Sequence, residues 1–156
     1  MAVFLKRARM ETIFPVSKLM VLPFWLLMIG LPHWRWTRRI LQSPLVLVPL
    51  PLLYAVVALP QLPELWPVLI HPQLETVAAA LGKPAVAAAG WIHYLAFDFF
   101  VGRYAYLDSR ERGISAWLMV PVLVLTLFLG PVGLLLYLAL RAFSKAPEEP
   151  QPAALC

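Results

Sequence analysis

Three ionisable residues stand inside one strongly apolar run, and their spacing is the first feature of this chain that could do chemistry. The run is WIHYLAFDFFVGRYAYLDSRERG, Trp91 to Gly113, and the residues are His93, Asp98 and Arg103. A charged side chain at the centre of a lipid-spanning helix costs about 3 kcal/mol or more unless it is paired or faces a cavity, so each marks a functional site by default. At about 1.5 Å rise per residue, Asp98 falls within roughly 3 Å of the middle of a helix over 84–107. Arg103 lies about 10 Å from that middle, within reach of an interface. At about 100° per residue, His93 and Asp98 diverge by roughly 140°, so the three residues cannot form one row. Either several neighbouring helices each receive one polar group, or one face borders a polar cavity. A neutral aspartic acid beside a histidine is an acid/base couple suited to neutral pH. The competing reading is that both residues are hydrogen-bonding glue between helices.

The aromatic residues around this set also have two readings. Trp91, Tyr94, Phe97, Phe99, Phe100, Tyr104 and Tyr106 serve either as packing or as the lining of a slot for a flat, long, conjugated or isoprenoid molecule. Gly102 leaves a gap one turn from Asp98 that would admit a ligand or a close helix. Trp91, Tyr94, Phe97, Gly102 and Tyr104 are therefore the candidate ligand-binding residues, and His93, Asp98 and Arg103 the candidate catalytic ones. His33, His71 and His93 are scattered with no i, i+4 pair, so no metal site is expected. No cofactor is expected either.

Composition says where such a segment must live. The chain has 156 residues, 62% of them hydrophobic and only 13% charged, about half the charged share of a soluble globular domain. A soluble fold of this size would have too little polar surface to present to water, so the apolar excess must face lipid. The formal charge of +5 then describes loops and ends, where basic residues suit anionic headgroups. Nucleic acid is not an expected partner, because the arginines are divided among short loops rather than gathered on one face. Cys156, the last residue, excludes a disulfide framework and is read as a plain thiol.

The elements that must position these residues can be traced along the chain. Lys6, Arg7 and Arg9 form a basic extension over 1–13, and Met10 is an alternative start. The first span is expected over 14–31, bent at Pro23. HWRWTRR, His33 to Arg39, then stops it with an interfacial anchor of rings and cations; the alternative for this run is a phosphate or headgroup site. A second, short span over 44–59 carries Pro49 and Pro51, which free backbone carbonyls and predict a broken or kinked helix packed on protein. Prolines 63, 67 and 72 suggest a loop, followed by one short helix over 73–81. LGKP, Leu81 to Pro84, reads as a helix stop and restart. The third span is expected over 84–107 and the fourth over 114–140, with Gly130, Pro131 and Gly133 as a kinked or flexible point. Residues 142–156 read as a disordered tail. The class is therefore all-α, a polytopic transmembrane four-helix bundle with kinked, Pro-containing helices over 14–141. The basic first and third loops belong in the cytoplasm and both termini outside it.

WIHYLAFDFFVGRYAYLDSRERGI with LFLGPVGLLLYLALR, and LPFWLLMIGLPHWRWTRR before them, resemble the abscisic-acid-deficient-four-like family of small four-helix membrane proteins. METIFPVSKL, from Met10, resembles the family's start. The resemblance implies an isomerase or binding protein for a carotenoid or isoprenoid lipid, because the plant member is implicated in forming neoxanthin from violaxanthin. That isomerisation opens an epoxide with loss of a proton from the polyene, and so wants an acid and a base. By resemblance, Asp98 and His93 supply them and Arg103 steadies a carboxylate or oxyanion. A bacterial inner membrane or a thylakoid-like membrane is the implied location. The alternative is a non-catalytic accessory or scaffold subunit of a larger membrane complex. A proton or ion pathway through His93 and Asp98 is a third reading, but the other spans offer few polar residues to extend it.

Overall fold

The structure, a computed structural model, describes the backbone of residues 2–144, with side chains from residue 11 onward. The side chains of residues 1–10 of the basic extension, and the tail after Ser144 with Cys156, lie outside the described residues. In order, the helices are α1 (Ala2–Gly30), α2 (Arg35–Gln42), α3 (Pro49–Ala58), α4 (Leu62–Ile70), α5 (Leu74–Leu81), α6 (Pro84–Glu111) and α7 (Ala116–Ala142). Two short 3-10 turns, Pro44–Leu47 and Leu59–Gln61, flank α3. No strand occurs among the described residues. Four helical stretches are long and apolar enough to cross a membrane: Glu11–Gly30, Pro44–Ile70, Pro84–Glu111 and Ala116–Ala142. This is an all-α transmembrane bundle.

The second of these stretches runs beyond Leu59. The residues from Leu62 to Ile70, read from the sequence as a proline-broken loop, are helical. The physical reason is where the prolines fall. Pro44, Pro49, Pro60 and Pro63 each occupy the first turn of a new short helix, where the missing N–H would have had no partner anyway. The chain therefore restarts rather than breaks. α5 and α6 follow the LGKP pattern: Gly82 caps α5 and Pro84 opens α6.

α6 is the central element. α1 lies parallel to it, as shown by Phe14 against Trp91 (ring centroids 5.0 Å) and Phe24 against Phe99 (5.1 Å). The Pro44–Ile70 stretch is antiparallel. Arg103 Nε meets the Leu41 carbonyl at 2.6 Å, Tyr54 meets the His93 ring at 5.7 Å, and Glu64 meets Lys83 at 2.5 Å. Lipid supplies little hydrophobic drive between helices, so close packing must do the work. α6 accordingly buries Ala85, Ala88, Ala89, Gly102 and Ala105, while Trp117 (85% exposed) and Phe128 (75%) face outward. Buried hydroxyls satisfy themselves locally: Ser17, Ser109 and Thr126 each donate to a carbonyl three or four residues back, at 2.7–2.8 Å.

α7 departs from a through-going rod. The turn before it is tight, with Gly113 at φ +66 and the Ile114 N–H on the Ser109 carbonyl at 2.9 Å, a Schellman stop. Ala116 therefore starts beside the carboxyl end of α6. A straight helix of this length would carry Arg141 roughly 37 Å from that point. Instead Arg141 Nε lies 3.0 Å from Asp108, and the Tyr137 hydroxyl donates to the same carboxylate. The helix turns back on itself at Leu129, whose backbone is non-helical (φ −140, ψ 52). Pro131 has no N–H for the carbonyl of residue 127 and disfavours helical geometry at Gly130. Gly133 then packs directly on the main chain of Thr126, closer than any side chain would allow. The kink expected at Gly130–Gly133 is thus a reversal, and α7 is a hairpin of two half-helices entering to mid-depth. Ser144 consequently lies at the same end of the bundle as the α1–α2 turn, not across the bilayer from it as a straight fourth helix would place it.

Candidate functional site

The polar and aromatic residues of α6 are distributed to different neighbours, as a helix with about 100° per residue requires. His93 is exposed and lies among rings: Phe97 at 4.6 Å, Tyr54 of α3 at 5.7 Å and Tyr94 edge-on at 6.3 Å. Asp98 points the other way, onto Gly130 at the tip of the α7 hairpin, where its carboxyl occupies the space a Cβ would need. The two residues are not brought together. Arg103 reaches a third neighbour. Its guanidinium donates to the carbonyls of Leu41 (2.6 Å) and Gln42 (3.2 Å), the orphan acceptors at the carboxyl end of α2. Two of its N–H donors thereby hold α2 against α6.

The candidate ligand-binding residues divide in the same way. The gap beside Gly102 is filled by the indole of Trp25, itself buried, so the close-helix alternative describes it. Tyr104 packs edge-on against Tyr137 at 5.9 Å. Trp91 lies against Phe14, with Lys18 Nζ 6.0 Å from its ring. Tyr94 and Phe97 are open to the lipid, 66% and 58% exposed.

Asp98 is the most unusual member chemically. It is half-buried, and among the described residues it makes neither a hydrogen bond nor an ion pair. An unpaired carboxylate at this depth is costly, so the group must stay neutral or meet a ligand. Its surroundings follow from the hairpin. α7 reaches only to the level of Asp98, so the same side of α6 nearer Pro84, carrying Tyr94 and Trp91, is left without an α7 partner. The hairpin tip bounds that uncovered side, and irregular backbone sits there at the level of Asp98. Such backbone is tolerated only where it is buried in protein or lines a cavity.

A second polar cluster was not legible in the sequence. Asp108, on the last turns of α6, is a hub for Arg112 (2.8 Å), Arg141 (3.0 Å) and the Tyr137 hydroxyl. Arg112 is an i, i+4 neighbour and could be anticipated. Arg141 could not, because only the reversal of α7 brings it back. This cluster fastens the returning half of the hairpin to α6. Among the described residues no group of His, Cys, Asp and Glu is arranged to hold a metal ion.

The family model described as ABA DEFICIENT 4-like matches residues 12–137. The chain belongs to that family. The match runs from Thr12 in α1 to Tyr137 and so takes in the whole of α6 and the hairpin tip of this ABA DEFICIENT 4-like protein. No curated protein and no solved structure matches the chain.

Proposed function

We propose that this membrane protein binds an elongated isoprenoid or carotenoid lipid along the open aromatic side of α6, and that Asp98 is the group that acts on its polar end. The observation that carries this reading is the unpartnered carboxyl at the hairpin tip, with Tyr94 and Trp91 one and two turns away on the same side. Flat rings stack well against a polyene, and a chain lying along that side would bring an oxygen at its end to the carboxyl. A neutral Asp98 can lend a proton to an epoxide or hydroxyl oxygen; an isomerisation returns a proton from carbon, so it consumes no redox partner. In this reading His93 stays on the α3 side, among Tyr54 and Phe97, and does not exchange protons with Asp98 directly. Family membership agrees with a neoxanthin-related substrate class.

The test is mild purification of the intact protein from a carotenoid-producing host, followed by pigment and lipid extraction. A stoichiometric polyene or isoprenoid is expected with the wild type. Asp98→Asn is expected to retain that molecule while abolishing any change the wild type makes to the host's pigment profile. Recovery of companion subunits with no isoprenoid would instead establish an accessory role in a larger membrane complex.

A further inference from the structure

A second site lies away from Asp98, at the end of the bundle where α1 turns into α2. There a cavity of about 580 Å³ is bordered by Arg35, Arg38 and Arg39 of α2, Arg110 and Tyr106 of α6, and the Pro32 turn. Among the described residues, those bordering it include four arginines and no carboxylate. Among the described residues no ion pair or hydrogen bond engages the guanidinium of Arg35, Arg38 or Arg39. Arg110 gives one terminal nitrogen to the Ile114 carbonyl, while its Nε is buried and, among the described residues, has no partner. A buried donor without an acceptor is rare in folded proteins and calls for an explanation.

The frame around the cavity is fixed, and the side-chain acceptors among its described lining residues, on His33, Gln42 and Tyr106, are uncharged. Tyr106 donates to the Pro32 carbonyl at 2.8 Å, and Thr37, fully buried, donates to the Leu31 carbonyl at 2.9 Å. The Leu31 and Pro32 carbonyls are thus already engaged. Arg35 and Arg39 flank the Trp36 ring, at 5.9 and 5.5 Å from its centroid. Stacking of this kind orients a guanidinium without using its N–H donors. Spacing of i, i+3 and i+4 puts all three α2 arginines on one side of the helix. A loop that merely obeyed the positive-inside rule would need basic residues, but not their convergence on one recess with spare donors.

We infer that this cavity binds a phosphate group, and its place at the membrane edge makes an anionic phospholipid headgroup the ligand. Arginine forks match phosphate oxygens in geometry as well as charge, and Trp34 and Trp36, both exposed, sit where rings favour the headgroup level. The site is independent of Asp98.

The test uses the full chain in phosphatidylcholine nanodiscs, with phosphatidylglycerol added in one arm and inorganic phosphate or pyrophosphate in the other. Retained lipid is counted by native mass spectrometry. One phosphatidylglycerol is expected to remain on the wild type. Arg38→Gln with Arg39→Gln, which touches no structural hydrogen bond, is expected to weaken retention by about tenfold or more. Arg110→Gln is expected to do the same, and Lys83→Gln, at the other end of α6, to change nothing. If phosphate or pyrophosphate raises thermal stability in the wild type alone and phosphatidylglycerol does not bind, the site takes a soluble phosphate instead. Equal retention by wild type and the Arg38/Arg39 variant, with no response to either phosphate, would overturn the inference.

Discussion

Replacing Gly133 with alanine tests the reversal of α7 by the sign of its effect. In a straight helix, Gly→Ala stabilises by about 0.5–1 kcal/mol, because glycine loses more backbone freedom on folding. In the hairpin, the new Cβ would collide with the Thr126 backbone nitrogen and Cα. These are main-chain atoms that cannot rotate aside. Overpacking of this kind costs about 1–3 kcal/mol, and the upper part of that range applies because the half-helices must separate. Subtracting the propensity gain leaves a net loss of roughly 1–2 kcal/mol. For a chain of this size that corresponds to a fall in Tm of about 2–8 °C. Gly30→Ala is the control, since a Cβ there meets nothing within 4 Å, and its Tm should hold or rise slightly. Thermal scans of both variants in one detergent decide the matter. A rise in Tm for Gly133→Ala matching that of Gly30→Ala would mean that residues 126 and 133 are not in contact, and the reversal would have to be abandoned.

Two further outcomes follow from the same geometry. Arg103→Ala should cost about 1–3 kcal/mol, because two carbonyls at the end of α2 lose a charged donor; thermal melting checks this, and an unchanged pigment profile would separate its role from that of Asp98. In a Cys156→Ser background, Ser144→Cys and Gln42→Cys should be labelled by a membrane-impermeant thiol reagent from the same side, and Leu74→Cys from the opposite side. Labelling of Ser144→Cys together with Leu74→Cys would indicate a through-going fourth helix.

The sequence by itself determined the class, the membrane setting and the segment that organises the chain. Apolar runs with charges confined to short loops leave little choice but helices in lipid, because every backbone N–H and C=O must be satisfied within the segment. The LGKP restart was legible because it rests on local backbone chemistry. The divergence of His93 from Asp98 was legible too, since helical periodicity alone fixes it. Only the tertiary structure decided what each group meets. Arg103 meets the end of α2 with two of its donors, and the gap beside Gly102 is filled by Trp25. Gly130, Pro131 and Gly133 announced a weak point in α7, but whether such a point bends or reverses a helix depends on what receives the returning half. Here Asp108 receives it, through Tyr137 and Arg141, groups separated from it by 29 and 33 residues. That long-range clamp places the hairpin tip beneath Asp98, and no local pattern in the chain encodes it.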